Sequence, residues 1–308
     1  MRLALQLLTF NRLETLRALF DSLAAQTDRD WAFYILDNST DEAKATLIAA
    51  LVEEQKGRLS IVFERSSSNI GFTGGHQHLY ERHNADYVMC VNDDVILEPE
   101  YIERVCRGLD EQPKVAAVGG KILRWDFDPE GVRSGIGNLV KKTDIVDSLG
   151  LAKTRYHKVY DIGAGKKIPD SRPDPIPAIP VFGVSGCLPL YRRVAVGSQL
   201  FDPSYFMYKE DVDLAYRLAK TGWASIIVPS AVAYHRRTFS IQARKAVVPF
   251  FIQWLSYRNH WRNLGKHLAW RDWLVSGWLI IPYEVAKFGY LCYNYRTEFL
   301  NAVRKEWL

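Results

Sequence analysis

The first 120 residues alternate short apolar runs with segments of helical periodicity, and this alternation limits the fold more than any other feature of the chain. Strands are expected at residues 2–8, 31–36, 60–64 and 86–91, with a helix between each pair. Such an order forms βαβ units around a parallel sheet. Right-handed crossovers bring the ends of these strands to one edge of the sheet. The sequence therefore predicts an α/β fold with a mostly parallel central sheet flanked by helices.

Polar clusters follow the strands at that edge. Residues 37–41 turn the chain and cap a helix, and residues 69–75 form a glycine-rich turn that leads into a helix over 76–84. Residues 92–94 read Asn-Asp-Asp and follow a buried strand. Two adjacent carboxylates are costly there unless a cation or a shared proton offsets their repulsion. Capping of the helix that follows Pro99 is the alternative interpretation of this tripeptide.

The pattern loosens over residues 125–180, which are rich in Asp, Gly, Lys and Pro and keep no strong period. A segment this long without regular structure is usually functional or disordered. We interpret it as an insertion beside the active site, with a hairpin near residues 134–140. Regularity returns in a glycine-punctuated strand over residues 181–193, which contains Gly186.

Three acids then open a helix, namely Glu210, Asp211 and Asp213. Acids in a first turn favour the helix macrodipole, so capping is the alternative interpretation. Residues 225–229 and 231–235 predict two short strands, and the second of them ends in His235. This histidine could be a metal ligand or, as the alternative, a structural residue.

Composition narrows the class of protein. Hydrophobic residues make up 48% of the chain and charged residues 24%, so a full core can be buried. The four cysteines form no Cys-x-x-Cys pair, which favours a reduced, cytoplasmic protein without a cysteine-rich zinc site. The apolar part of the N-terminus is too short for a signal peptide, and no run of about 18 apolar residues predicts a membrane span. No P-loop, dinucleotide fingerprint or serine-hydrolase elbow occurs.

The C-terminal part has a different composition from the rest. The net charge is +5, yet the chain from residue 236 onward holds twelve lysines and arginines against four acids. Six of the nine tryptophans also lie there. We therefore divide the chain into a domain over residues 1–240, with halves over residues 1–120 and 121–240, and a basic, Trp-rich helical tail over residues 241–308.

An aromatic stripe at helical spacing marks the tail, and basic residues lie alongside it: Trp254, Tyr257, Trp261 and Leu264, with Arg258, Arg262 and Lys266. A basic helix with a Trp-rich face suits the surface of an anionic membrane. Packing of the stripe on the domain over residues 1–240 or on a second subunit is the alternative, and homo-oligomerisation is left open. Nucleic acid is not expected as a partner, because no RNA-binding motif accompanies the aromatic residues.

The residue types allow one kind of chemistry if Asp94, His235 and the acids of residues 210–213 meet around one cation. Carboxylates and imidazole without a thiolate suit Mn²⁺ or Mg²⁺, completed by substrate oxygens, better than a structural zinc site. Such an ion neutralises the charge on a diphosphate leaving group. A further carboxylate at a helix start can act as general base on an incoming hydroxyl.

Several motifs occur in a specific order: Thr9-Phe-Asn-Arg, Asp37-Asn-Ser-Thr-Asp, Asn69-Ile-Gly-Phe-Thr-Gly-Gly, Asn92-Asp-Asp, Gly186-Cys-Leu-Pro-Leu-Tyr-Arg-Arg and Phe206-Met-Tyr-Lys-Glu-Asp-Val-Asp-Leu, with His235 after them. Over residues 3–240 this order resembles the family 2 glycosyltransferases, the inverting enzymes of GT-A fold. Within that family it is most similar to bacterial rhamnosyltransferases and related galactofuranosyltransferases of surface-polysaccharide assembly.

The resemblance implies that residues 1–240 are a catalytic domain, with a nucleotide-sugar half over residues 1–120 and an acceptor and catalytic half over residues 121–240. It also implies a role for each matched residue. Asp94 and His235 would hold Mn²⁺ or Mg²⁺ on the donor diphosphate, and Asp211 would be the catalytic base with Glu210 beside it. Asp37 would form hydrogen bonds with the nucleobase of the donor. The donor-binding residues implied in this way are Thr9, Asn11, Arg12, Asp37, Asn69, Gly71, Asn92, Asp93 and Gly186. Asn92 departs from the family pattern, because it replaces the first acid of the Asp-x-Asp motif and removes one charged ligand.

The reaction implied by the resemblance is a direct displacement at the anomeric carbon, with inversion and no covalent intermediate. The expected donor is dTDP-L-rhamnose, and UDP-galactofuranose or another UDP-hexose is the alternative. The expected acceptor is a glycan or a lipid-linked sugar, which places the protein in the cytoplasm or peripherally on the inner face of the cytoplasmic membrane. The alternative of another class is a non-catalytic protein that binds nucleotide or glycan.

Overall fold

A ten-stranded sheet flanked by helices forms the centre of the computed structural model, which describes residues 1–127, 140–168, 177–236, 248–299 and 301. The first part of the chain forms β1 (Leu3–Thr9), α1 (Leu16–Ala24), β2 (Trp31–Asp37), α2 (Glu42–Gln55), β3 (Ile61–Arg65), α3 (Gly71–Tyr80), β4 (Tyr87–Asn92), β5 (Val95–Leu97), α4 (Tyr101–Asp110) and β6 (Val115–Phe127). The rest forms β7 (Val140–Ser148), β8 (Leu151–Lys153), β9 (Val159–Asp161), β10 (Ile179–Val181), β11 (Leu190–Arg192), α5 (Arg193–Val196), a 3-10 turn (Pro203–Tyr205), α6 (Glu210–Lys220), β12 (Ala224–His235), α7 (Phe250–His267) and α8 (Trp270–Asn294).

The strand order of the large sheet is β10-β12-β6-β11-β4-β1-β2-β3, and β5 and β7 pair with β12 and β6 outside this path. Strands β3, β2, β1 and β4 form a parallel block. Strand β11 is antiparallel to both β4 and β6, and β12 is parallel to β6. The predicted α/β fold with a large central sheet is therefore confirmed, and the sheet is mixed because β5, β7, β10 and β11 pair antiparallel with their neighbours.

Burial on both faces explains why the central strands read as continuous apolar runs. Every residue of β1 is buried apart from Leu8, and every residue of β4 is buried apart from Asn92. Helix α1 covers one face with Leu16, Phe20 and Leu23, each of them fully buried. Full burial of one such side chain contributes roughly 1.5–3 kcal/mol to folding.

The strand ends meet at one edge, as the alternation predicted. Thr9 pairs with Asp37 in register, Asp37 pairs with Arg65, and Asn92 pairs with Leu8. The polar clusters that follow β1, β2 and β4 therefore begin side by side. In open α/β sheets the carboxyl ends of the strands are where ligands bind.

Most of the glycine-rich segment belongs to the helix that was predicted to follow it, so the helix over 76–84 was predicted with the wrong boundaries. Helix α3 begins at Gly71 and ends at Tyr80. Close packing on the sheet explains the glycine at position 75. A Cβ there would lie 2.6 Å from a methyl carbon of Leu8, which is too close for any side chain.

Two further strand predictions were wrong in their boundaries. The segment 181–193 does not form a single strand, because β10 ends at Val181 and β11 begins at Leu190. Residues 225–235 form the continuous strand β12, whose register shifts between Val228 and Val232. Pro229 lies in this irregular part, where its missing N–H costs no ladder hydrogen bond.

The loosely patterned segment 125–180 contributes strands to the fold. Strand β7 pairs with β6, and β8 pairs with β9 in a small second sheet. The hairpin expected near residues 134–140 lies outside the described residues, apart from the first residue of β7. Non-local pairing, which leaves no local period in the sequence, holds this segment on the sheet.

The two C-terminal helices pack on protein. Trp254 and Tyr257 of α7 are buried against Leu291 of α8 and against Tyr295 and Phe299. These two side chains therefore do not form the membrane face that the sequence predicted, and the alternative of packing on protein describes them. None of the helices within the described residues is both long enough and apolar enough to cross a membrane.

Candidate active site

Arg12 joins the two acids that follow β4. Its Nη1 lies 3.0 Å from Asp93 Oδ1 and 2.8 Å from Asp94 Oδ2. This guanidinium is a cation that offsets the repulsion of the adjacent carboxylates. Burial raises the pKa of Asp93 to about 7, against the effect of Arg12. Burial also acts on Asp94, but the charges of His235 and Arg12 outweigh it and hold the pKa of Asp94 below its usual value.

His235 lies between two carboxylates. Its Nε2 is 3.2 Å from Asp94 Oδ1, and its Nδ1 is 2.8 Å from Asp147 Oδ2. Burial would lower the pKa of His235, yet the charge of Asp94 and the hydrogen bond to Asp147 raise it well above its usual value. Arg124 Nε in turn lies 3.5 Å from Asp147 Oδ1.

Asp147 was missed by the sequence analysis. It lies on β7, within the segment that was interpreted as an insertion beside the active site. Its side chain is fully buried. Aspartate is rarely buried without a partner, so an acid after the apolar pair Ile145-Val146 was the only local signal.

The pair Asp94 and His235 fits a divalent cation with open positions. Neighbouring ligands of an octahedral Mg²⁺ at about 2.1 Å lie about 3.0 Å apart, close to the separation of Asp94 Oδ1 and His235 Nε2. A ligating histidine usually donates its other ring N–H to a carboxylate, which is the place that Asp147 takes. Within the described residues no group of three or more His, Cys, Asp or Glu side chains forms a metal cluster. Substrate oxygens could occupy the positions that Asp94 and His235 leave open.

Asp211 and Glu210 lie in the first turn of α6. Gly186 N donates to Asp211 Oδ2 at 3.1 Å, and Val212 N donates to Asp211 Oδ1 at 2.8 Å. Burial raises the pKa of Asp211. Burial and the neighbouring Asp211 raise the pKa of Glu210 to about 8. A carboxylate with a raised pKa is a better proton acceptor near neutral pH, as a general base requires.

Glu210 gives a pH-dependent prediction for stability. Its carboxyl keeps a proton up to about pH 8 in the folded protein, against a usual pKa of 4.5. The folded state therefore binds more protons than the unfolded chain between these values, and stability falls as pH rises through them. Glu210→Gln cannot ionise, so it should raise Tm by a few degrees relative to the wild type near pH 9 and by less near pH 5. A Tm difference that is the same at both pH values would contradict the assignment.

The segment Gly186–Cys187 connects the two acidic groups. Gly186 binds Asp211 through its N–H, while Cys187 O accepts a hydrogen bond from Asn92 N at 3.0 Å. A Cβ on Gly186 would lie 3.3 Å from Glu210 Oε1, so a larger residue would crowd the acids. Asn92 Oδ1 is buried and accepts no hydrogen bond within the described part of the chain.

Asp37 is the last residue of β2. It is fully buried, and its Oδ1 accepts a hydrogen bond from Ser39 N at 2.9 Å. Its Oδ2 accepts no hydrogen bond from a described residue, and Arg65 Nε lies 4.0 Å away. One carboxylate oxygen of Asp37 thus has no hydrogen-bond donor among the described residues.

Other predicted donor-binding residues shape the loops at this edge. Asn11 Oδ1 accepts hydrogen bonds from Thr40 N at 3.2 Å and Asp41 N at 3.0 Å. Thr9 Oγ1 donates to Arg12 O at 3.2 Å, and Asn69 Oδ1 accepts from Gly71 N at 2.9 Å. Their contribution to donor binding stays a prediction, because these side-chain atoms bond to the protein backbone.

The loop Phe206–Lys209, which precedes α6, is strained. Phe206, Tyr208 and Lys209 have φ angles of 63°, 69° and 69°. Each such residue costs about 1–3 kcal/mol and persists only where the surroundings enforce it. Gly71, with φ of 77°, approaches this loop so closely that a Cβ would lie 2.5 Å from the Phe206 ring. The glycine is therefore required where the helix after β3 meets the loop before Asp211.

Comparisons with solved structures support the same fold. The structure of GalNAc-T7 with UDP, GalNAc and Mn²⁺ has a TM-score of 0.61 at 12% identity, covering 80% of this chain and 45% of that one. A mannosyltransferase from Pyrobaculum calidifontis in complex with GDP-Man and Mn²⁺ has a TM-score of 0.56 at 12% identity, covering 95% and 75%. TarS of S. aureus in complex with UDP-GlcNAc has a TM-score of 0.51 at 14% identity, covering 84% and 66%. At these identities the likeness establishes the GT-A fold.

Comparisons at the level of sequence are more specific. The chain is 52% identical over 62 residues to an N-acetylglucosaminyl-diphospho-decaprenol L-rhamnosyltransferase of Mycobacterium tuberculosis, in two strains. The match spans 20% of this chain and 20% of that enzyme. The model of a whole family, described as glycosyl transferase family 2, matches residues 7–196, from the end of β1 through α5. With most of the sheet and its strand-end acids inside this match, the chain belongs to the family 2 glycosyltransferases.

Proposed function

We propose that this glycosyltransferase inverts the anomeric centre, with Asp211 as the base that deprotonates the acceptor hydroxyl. The observation that carries this proposal is the Asp211 carboxylate at the start of α6, oriented by the Gly186 and Val212 amides and with a raised pKa. A single oriented base suffices for a direct displacement, since the acceptor oxygen attacks as its proton leaves. The neighbouring Glu210, protonated up to about pH 8, adds no negative charge beside the base at neutral pH.

Asp94 and His235 would hold a Mn²⁺ or Mg²⁺ ion in this proposal, and His235 would release its Nε2 proton to solvent when the ion binds. The ion supplies positive charge that stabilises the diphosphate leaving group. Asp147 fixes the ring of His235, and Arg12 keeps Asp94 ionised and directed toward the histidine. Asn92, in place of a first acid, leaves its amide oxygen for a hydrogen-bond donor of the bound nucleotide sugar.

The donor proposed for this site is dTDP-L-rhamnose, and the acceptor is a lipid-linked sugar. The short but 52% identical match to a rhamnosyltransferase that acts on a decaprenol-linked GlcNAc supports both choices. UDP-galactofuranose or another UDP-hexose is the second candidate, because two of the structural neighbours hold UDP or a UDP-sugar. Asp37, with one carboxylate oxygen left without a hydrogen-bond donor, would pair with the base of either nucleotide.

A donor screen tests this proposal. The purified protein is incubated with dTDP-L-rhamnose, UDP-galactofuranose, UDP-glucose or UDP-GlcNAc in the presence of Mn²⁺, with and without a lipid-linked GlcNAc acceptor, and nucleotide release is followed. Acceptor-dependent release of dTDP from dTDP-L-rhamnose is expected. If UDP is released from a UDP-sugar in the presence of acceptor and no dTDP is released from dTDP-L-rhamnose, the UDP-sugar is the donor. Binding of nucleotide without release from any donor would favour the non-catalytic alternative.

Helix α8 supplies the surface for the membrane contact that a lipid-linked acceptor requires. Its exposed apolar side chains recur at spacings of three and four, as one face of a helix: Trp270, Leu274, Trp278, Ile281, Val285 and Phe288. An apolar face that includes tryptophan can enter the boundary between lipid headgroups and chains. In this proposal the protein lies peripherally on the cytoplasmic face of the membrane.

Replacing Leu274 and Trp278 with serine tests the membrane contact. Both side chains are more than two-thirds exposed, so their replacement should leave Tm unchanged. Co-sedimentation with anionic liposomes should fall at least about tenfold, because the buried apolar area that supports interfacial binding is lost. The matched control is Val194→Ser, an exposed apolar residue on α5. Equal sedimentation of all three proteins would refute a membrane role for α8.

A further inference from the structure

Helix α7 presents a buried polar stripe to the strained loop Phe206–Lys209. Asn259 and Asn263 of α7 are 0% and 1% exposed, so they have no contact with water to compensate for burial. Buried amides of this kind are retained where their hydrogen bonds are made inside the protein. Their partners are main-chain carbonyls of the loop and of the turn before it.

The side-chain amides of Asn259 and Asn263 donate hydrogen bonds to most of the main-chain carbonyls of the loop. Asn259 Nδ2 donates to the carbonyl oxygens of Tyr205, Met207 and Tyr208 at 2.9, 2.9 and 2.8 Å. Asn263 Nδ2 donates to Lys209 O at 3.1 Å. Together they bind four of the five carbonyls between residues 205 and 209. A loop with three left-handed residues needs such restraint, because each of these residues would relax if released.

The turn before the loop is fixed by the same helix. Asn263 Oδ1 accepts a hydrogen bond from Tyr205 OH at 2.7 Å. Arg258 Nη2 donates to Ser204 O at 3.3 Å and to Tyr205 O at 3.1 Å. The chain is thus fixed to α7 both before the strained residues and along them.

Helix α7 also holds the chain on the C-terminal side of Asp211. Lys209 is the last residue before α6, and its carbonyl accepts the hydrogen bond of Asp213 N at 3.0 Å. Asp213 Oδ1 lies 2.8 Å from His267 Nε2 and 2.8 Å from Lys266 Nζ. Asp211 lies between these two attached points. Its position relative to Gly186 therefore depends on contacts that α7 makes with the main chain on both sides of it.

We propose that Asn259 and Asn263 are positioning residues for the transfer reaction, which hold the loop in the left-handed conformation that sets the start of α6 and the position of Asp211. This role rests on the proposed function, in which Asp211 is the base. Helix α7 thereby supports catalysis, although it lies after residue 196, where the match to the family model ends. Neither residue contacts the donor or acceptor in this proposal.

The experiment compares Asn259→Ala with two controls on α7. Gln253→Ala removes an amide that makes no described contact with the loop, and Leu264→Ala removes a buried apolar side chain. Transfer is measured as kcat per folded molecule, with KM for the donor. Hydrogen exchange of the peptide 203–213 is measured without substrate. Asn259→Ala should lower kcat about 100-fold with donor KM within about twofold, since a small displacement of a catalytic group has this effect.

The controls separate positioning from stability. Leu264→Ala should lower Tm while kcat per folded molecule stays at the wild-type value, and Gln253→Ala should change neither. Exchange of the 203–213 peptide should be faster in Asn259→Ala than in both controls. Wild-type kcat in Asn259→Ala, or a lower kcat without faster exchange, would overturn the inference. If the wild type transfers no sugar from any donor, the proposed function fails, and unchanged exchange in Asn259→Ala then overturns the restraint of the loop as well.

Discussion

Replacing Asp211 with asparagine should lower sugar transfer by about 10³-fold, because a positioned general base contributes roughly 10²–10⁴-fold to such a reaction. The two amides of Gly186 and Val212 donate to different carboxylate oxygens, so the single amide oxygen of asparagine can keep only one of the two hydrogen bonds, while the size and shape of the side chain stay the same. Affinity for the donor nucleotide should stay within a few-fold. Initial rates and nucleotide binding by calorimetry check the two parts separately.

The matched control for this variant is Asp272→Asn. Asp272 is also an acid in the first turn of a helix, α8, but its Oδ2 accepts a hydrogen bond only from Ala269 N among the described contacts. This control should keep the wild-type rate. Transfer near the wild-type rate in Asp211→Asn would show that the base is another group.

Replacing Asp94 with asparagine should have the second large effect. Asp94 is the acid on which both Arg12 and His235 converge, and its replacement removes the carboxylate that these two side chains share. Transfer should fall at least about 100-fold, and the affinity for Mn²⁺ in the presence of nucleoside diphosphate should fall with it. Binding of Mn²⁺ is followed by electron paramagnetic resonance, which does not depend on turnover.

Asp147→Asn is the companion variant for the metal. It keeps the shape of the side chain but removes the carboxylate that receives His235 Nδ1. Loss of such an orienting group typically lowers metal affinity by about 10–100-fold, so its effect should be smaller than that of Asp94→Asn. Unchanged Mn²⁺ affinity in both variants would remove Asp94 and His235 from the metal site.

The sequence predicted those parts of the site that follow from local pattern. Periodicity located the parallel strands, and parallel strands necessarily place the ends of β1, β2 and β4 together, with Asp37 and Asp94 among them. The helix that begins at Glu210 was likewise predicted from its first-turn acids. Motif order then connected these segments to a known family.

The remaining parts of the site depend on contacts between residues far apart in the sequence, and these could not be predicted from local pattern. Asp147 reaches His235 because β7 joins the edge of β6, and nothing in a stretch rich in Asp, Gly and Lys signals that pairing. Arg12 was predicted to bind the donor, which stays a prediction, and the sequence did not show that its guanidinium also lies on Asp93 and Asp94. The distance in sequence between these residues is spanned only by the folded sheet.

In the C-terminal tail, the sequence likewise did not show what each helix face contacts. Its helical period was visible, but the partner of each face was not. Tryptophan on α7 is buried against α8, while the polar stripe of α7 carries the contacts with the loop before Asp211. The exposed apolar face lies on α8, where the sequence analysis had singled out no stripe. A periodic pattern fixes which residues share a face, and only the tertiary structure determines what that face contacts.

The anomeric configuration of the product tests the central claim most directly. The wild-type protein is incubated with dTDP-L-rhamnose and the lipid-linked acceptor, and the new glycosidic bond is assigned by the one-bond C1–H1 coupling in an NMR spectrum. A direct displacement with Asp211 as the only base predicts that the β-linked donor gives an α-linked rhamnoside. A β-linked product would contradict this mechanism, because retention requires a second displacement or a covalent intermediate.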